Sequence, residues 1–156
     1  MTERTYSIEL TIPDNTAFTA LVTLQRLGIA CDEVKRADIY SFAVDDDRVA
    51  ELDTSIRQIE TIFNPNKHAL RIREAHPQAG EVWIADRAEP GEGVAISPGE
   101  DESGLRIAGR RLAGVRALRR RTAWRLRKDG RDVPENVLAT AVEGLLCNPA
   151  FQKAIR

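Results

Sequence analysis

The sequence predicts an α+β fold of two β-α-β-α-β repeats packed as a pseudo-dimer. Three observations carry this. An apolar helical run that stops at Asn-Pro occurs twice, once ending Ile62-Phe63-Asn64-Pro65 and once ending Leu145-Leu146-Cys147-Asn148-Pro149. Each leads into a short extended segment, Ala69 to Ile72 and Ala150 to Ile155. Before each run the pattern is strand, helix, long strand. His76-Pro77-Gln78-Ala79-Gly80 supplies the linker, dividing the chain into repeats 1–78 and 79–156. A β-α-β-α-β core of about 70 residues is marginal alone and gains from packing on another copy.

The first repeat opens with Tyr6, Ile8, Leu10 and Ile12 alternating with polar residues, a half-buried strand. Pro13-Asp14-Asn15 breaks it and offers an N-cap. Ala17, Ala20, Leu21, Leu24 and Leu27 recur at helical spacing, and Gly28 suits the left-handed stop. Val34, Tyr40, Phe42 and Val44 share one face of the next strand. Asp45-Asp46-Asp47 then opens a helix whose apolar stripe is Val49, Leu52, Ile56, Ile59 and Phe63. Asn64 is expected in the left-handed conformation at its end, where Pro65 cannot continue the helix.

The second repeat starts with Val82-Trp83-Ile84. Pro90-Gly91-Glu92-Gly93 predicts a turn before Val94-Ala95-Ile96, a hairpin absent from the first repeat. After Ser97-Pro98-Gly99-Glu100-Asp101-Glu102, the residues Leu105, Ala108 and Leu112 predict a helix. Val115 to Lys128 reads as an arginine-loaded strand, turned by Asp129-Gly130. Pro134-Glu135 opens the last helix, with Val137, Leu138, Ala141, Val142 and Leu145 as its stripe.

Of 156 residues, 42% are hydrophobic and 30% charged, a composition normal for a soluble globular chain that argues against disorder. The formal net charge of -1 gives no global basic footprint for nucleic acid. The repeats differ in sign: 9 basic and 13 acidic residues in the first make -4, and 14 and 11 in the second make +3. Cys31 and Cys147 form no C-x-x-C pair and are expected as reduced, separate thiols. The start Met1-Thr2-Glu3-Arg4 lacks a basic-then-apolar leader, and no apolar run approaches the ~20 residues that span a bilayer. The expectation is a cytoplasmic protein with no membrane partner.

No catalytic constellation emerges. His68 and His76 lack ligand partners at helical spacing and read as exposed loop residues. No nucleophile elbow occurs. Gly91-Glu92-Gly93 and Ser97-Pro98-Gly99 lie among acidic residues that repel phosphate. Asp45-Asp46-Asp47 reads as a capping cluster, since consecutive residues do not converge on one ion. Catalytic, cofactor and metal residues are therefore not assigned. The pointed feature is the arginine run, with Arg116, Arg119, Arg120, Arg121 and Trp124 as the candidate interface. Its readings are an acidic protein surface, a phosphate-rich ligand, RNA, or a solvated strand face whose stems cover apolar surface. Nucleic acid is disfavoured, because only Trp124 offers a stacking ring.

The order and endings resemble PurS, the small subunit of phosphoribosylformylglycinamidine (FGAM) synthase. Ser97-Pro98-Gly99-Glu100-Asp101-Glu102-Ser103-Gly104 is similar to that family's loop between first strand and first helix. Val115-Arg116-Ala117 and Val34-Lys35-Arg36 are similar to its Val-Arg strand start. Leu145-Leu146-Cys147-Asn148-Pro149 and Ile62-Phe63-Asn64-Pro65 are similar to its helix end. The family's Gly-Lys after the strand start is replaced by Ala37-Asp38 and Leu118-Arg119. The resemblance implies a non-catalytic, cofactor-free subunit that self-associates and joins the glutaminase to the ATP-dependent synthetase in purine biosynthesis. The alternative is a tandem regulatory protein resembling ACT domains, which share the ferredoxin-like sandwich and bind small molecules.

Overall fold

The computed structural model describes residues 1–88 and 104–156. Strand β1 (Thr2–Leu10) sends Tyr6 and Ile8 into a core, as its alternation requires. Helix α1 (Asn15–Arg26) begins where Asp14 accepts the amides of Thr16 and Ala17, each at 3.1 Å. It buries Ala17, Ala20 and Leu24, and Gly28 ends it at a φ of 82°. Leu27, expected inside, is exposed because it lies past the last helical turn. Strand β2 (Glu33–Val44) follows. A 3-10 turn at Asp46–Arg48, helix α2 (Val49–Ser55) and a second 3-10 turn at Ile56–Gln58 then bury Leu52 and Ile56. Strand β3 (His68–Arg73) completes the expected first-half order.

Strand β4 (Glu81–Asp86) opens the second half and is buried over its first five residues. The expected turn at Pro90–Gly93, the run Val94–Ile96 and the loop Ser97–Glu102 lie outside the described residues. Beyond them the expected helix through Leu105, Ala108 and Leu112 is instead a hairpin, β5 (Leu105–Ile107) with β6 (Arg110–Leu112). The reason is local. Ala108 (φ 51°) and Gly109 (φ 79°) form a two-residue left-handed turn, the kind that joins tight hairpins. The turn sets Leu105 directly opposite Leu112, both buried, so a spacing that fits two helical turns equally fits a hairpin pair.

Strand β7 (Val115–Lys128) spans the predicted residues. Asp129 (φ 53°) and Gly130 (φ 74°) turn it into the short β8 (Arg131–Asp132). Helix α3 (Glu135–Ala141) passes into a π-helical turn, Val142–Leu146. That turn adds a residue to the repeat, so Leu146 takes the inner position expected of Leu145, which stays exposed. Strand β9 (Gln152–Ile155) ends the chain's ordered elements.

The fold is α+β, with three helices among the described residues and a mostly antiparallel sheet. In the first half the strand order is β3-β1-β2; in the second it is β9-β4-β7. β1 and β3 are antiparallel, from Thr5↔Arg73 to Leu10↔His68, and β4 and β9 from Trp83↔Ile155 to Asp86↔Gln152. β4 also pairs antiparallel with β7, Glu81 opposite Arg125.

Two compact units form, and they are not the two sequence halves. The first holds Met1–Ile12, Ile39–Ala75 and, of the described residues, 104–120. The second holds Pro13–Asp38, 76–88 and Arg121–Arg156. Strands β2 and β7 each give one end to each unit. The first core joins Tyr6, Phe42, Val44, Leu52 and Ile56 to Leu105, Leu112 and Leu118. The second joins Leu24, Ile29 and Cys31 to Val82, Leu126 and Leu138.

The Asn-Pro endings do not use left-handed asparagine: the only described non-glycine residues at positive φ are Ala108 and Asp129. Both asparagines instead turn the chain through their side chains. Asn64 Oδ1 accepts the Asn66 amide at 2.9 Å, and Asn148 Oδ1 accepts the Ala150 amide at 3.0 Å. The backbone carbonyl of each accepts the amide four residues on, His68 and Gln152, at 2.8 Å in both. Each asparagine amide donates back to that residue's side chain, His68 Nδ1 and Gln152 Oε1, again at 2.9 Å in both.

Candidate interface on the arginine strand

Alternation along β7 divides the arginines between two faces. Arg119 and Arg121 share one; Arg116, Arg120 and Trp124 share the other. The compact units divide them again. Arg116, Arg119 and Arg120 belong to the first unit, Arg121 and Trp124 to the second. The run therefore presents several local arrangements, one per side chain.

In the first unit, Arg116 Nη2 donates to Asp45 Oδ2 at 2.9 Å. That hydrogen bond holds the Asp45 carboxyl below the usual carboxylate range. Asp45 precedes the 3-10 turn without capping it, so the capping role expected of the aspartate run does not apply to this residue. Arg120 lies over the Tyr40 ring, 5.5 Å from its centroid, a cation–π contact. Arg119 lines a hollow of about 210 Å³ with Thr2, Glu3, Ser41, Ala43 and Ala117.

In the second unit, Arg121 lies over Trp83 at 5.8 Å. Trp83 is fully buried, and its Nε1 donates to Glu81 Oε1 at 2.8 Å. Glu81 also accepts the Gln78 amide at 3.2 Å. Farther along the strand, Arg125 and Arg127 both donate to Asp132 on β8. Trp124 floors a groove of about 440 Å³ between α1 and the π-helical turn. Thr16, Thr19 and Thr23 form its polar wall; Leu145 and Leu146 form its apolar wall.

Two polar clusters escape sequence reasoning. One is the buried Glu81 beneath Trp83. The other joins Arg4, Tyr6 and Asp53: Arg4 donates to both Asp53 oxygens, at 3.0 and 2.6 Å, and Tyr6 Oη donates to Oδ1 at 2.6 Å. The available signal was that Arg4 and Tyr6 share a strand face. His68 is not a free loop residue, since it opens β3 and accepts the Asn64 amide. Among the described residues no three His, Cys, Asp or Glu side chains gather as a metal site. No helix there is long and apolar enough to cross a membrane.

No family model and no curated protein matches this chain.

Proposed function

We propose that this protein is a PurS-like, non-catalytic cytoplasmic subunit that scaffolds the glutaminase and synthetase components of FGAM synthase. One observation carries the reading. The two Asn-Pro loops make the same set of hydrogen bonds, and each leads into a strand that pairs antiparallel with the first strand of its half. That order supports a duplicated unit whose halves diverged, despite the hairpin that replaces one expected helix. Fusion keeps the two halves at an effective concentration in the millimolar range for a short linker, which stabilises a paired arrangement. The hollow beside Arg119 gives an acidic loop of a partner a place to sit. The test is co-purification with a synthetase and a glutaminase, followed by glutamine-dependent amidotransfer. Restored activity supports the reading; no association at micromolar concentration sinks it.

A second reading, an ACT-like regulator, draws on the groove over Trp124. Its threonine wall and apolar wall suit an uncharged or zwitterionic small molecule. A rise in melting temperature with an amino acid, absent in Trp124→Ala, favours that reading over the scaffold.

A further inference from the structure

The two Asn-Pro loops are closed by different chemistry at one equivalent place. In the second loop the Asn148 amide donates to the carboxamide oxygen of Gln152 at 2.9 Å, an acceptor that does not titrate. In the first, the Asn64 amide donates to His68 Nδ1, also at 2.9 Å and partly buried. A backbone N–H can only donate, so Nδ1 must offer its lone pair and the ring proton sits on Nε2. The closed loop therefore admits the neutral ring alone. An imidazolium carries protons on both nitrogens and would turn one N–H toward another.

The surroundings of His68 supply no substitute. It opens β3 with Leu10 of β1 opposite, and the Phe63 ring lies 6.4 Å from the imidazole. Arg71 of β3, and Glu9 of β1 opposite Ala69, lie on the other face of the strand pair. Lys67 adjoins His68 and adds only positive charge. Glu60, before Phe63, is exposed and makes no ion pair with the ring. Among the described residues no carboxylate accepts from His68.

We propose that His68 is a pH-sensitive latch, whose protonation opens the first Asn-Pro loop and frees the start of β3 while the second loop stays closed. Histidine is the side chain that changes charge between about pH 5 and 8. Only the neutral ring can accept, so the stability from this bond is present above that range and lost as pH falls through it. The opening is local. Leu10↔His68 is the end pair of a β1–β3 ladder that continues to Thr5↔Arg73. The latch rests on the loop geometry and does not depend on the partners proposed above.

The test is amide exchange in the full chain, read by NMR, with the Asn148 amide as reference in the same molecule. From about pH 8 to about pH 5, Asn64 protection, corrected for intrinsic exchange, should fall about tenfold relative to Asn148. The fall should track the titration of the His68 ring signals and not those of His76. His68→Gln installs the acceptor that the second loop already uses, and should make the ratio independent of pH. A wild-type ratio that does not move, or that tracks His76, overturns the proposal. So does a ratio that falls equally in His68→Gln. The ring signals assign the cause in the wild-type protein even where that variant fails to fold.

Discussion

The phenol of Tyr6 donates to Asp53 at 2.6 Å, and the same carboxylate takes both arms of the Arg4 guanidinium. This ties β1 to α2 by charge-assisted bonds beside the first core. Hydrogen bonding from Arg4 lowers the Asp53 pKa. Burial, and then the bond to Asp53, raises that of Tyr6. The two shifts act at opposite ends of the pH scale. Stability from Asp53 is full above its unfolded pKa of about 4 and is lost as pH falls through the lower folded value. Stability from Tyr6 is full below about pH 10 and is lost as pH rises toward its folded value. Asp53→Asn is expected to cost about 2 kcal/mol at neutral pH and to flatten the acid limb of the stability curve. Tyr6→Phe should cost about 1 kcal/mol and flatten the alkaline limb. Chemical denaturation across pH measures both; unchanged limbs refute the linkage.

The two Asn-Pro loops are held by side-chain acceptors. Replacing Asn64 or Asn148 by valine removes the acceptor for Asn66 or Ala150 and should cost about 1 kcal/mol in each case. Aspartate keeps the acceptor and should cost less than half as much. Equal losses for valine and aspartate would refute the side-chain account.

Glycines at positive φ separate backbone strain from collision. A Cβ on Gly28 (φ +82°) meets nothing within 4 Å, so Gly28→Ala should cost about 1 kcal/mol from conformation alone. A Cβ on Gly104 (φ +122°) lies 2.0 Å from the Leu112 carbonyl oxygen. Gly104→Ala should therefore displace β6 and cost roughly 3 kcal/mol or more. Melting curves of the two variants test the ranking.

Thiol titration should count one reactive cysteine in the native protein. Cys31 is buried in the second core, and that burial raises its pKa, while Cys147 is only partly covered. With an aromatic disulfide reagent, Cys147 should react first and Cys31 only on unfolding. Two fast equivalents would contradict the placement.

How much was legible depended on how local each cause was. Strand β7 could be read end to end, because fourteen residues of β pattern and an Asp-Gly turn are local signals. The N-cap at Asp14 was equally local. The hairpin at Leu105–Leu112 was missed because its apolar spacing fits two structures, and only the conformation of Ala108 decides between them. The shift from Leu145 to Leu146 depends on a π turn, for which the sequence offers no marker. Partners such as Arg4 with Asp53, or Arg116 with Asp45, are joined across the chain by pairing and packing. The strand of the candidate interface was thus legible, but the different surroundings of its arginines were not.

The mixed membership of the two cores has a consequence for inheritance. Tyr6 shares its core with Leu118, and Leu24 shares its core with Leu126, so each core draws on both halves of the sequence. Surface charge can change in either half alone, whereas a change in either interior is met by residues of both halves. A gene severed near the Pro77 linker should yield two fragments that are each unfolded alone and recover helical dichroism only when mixed.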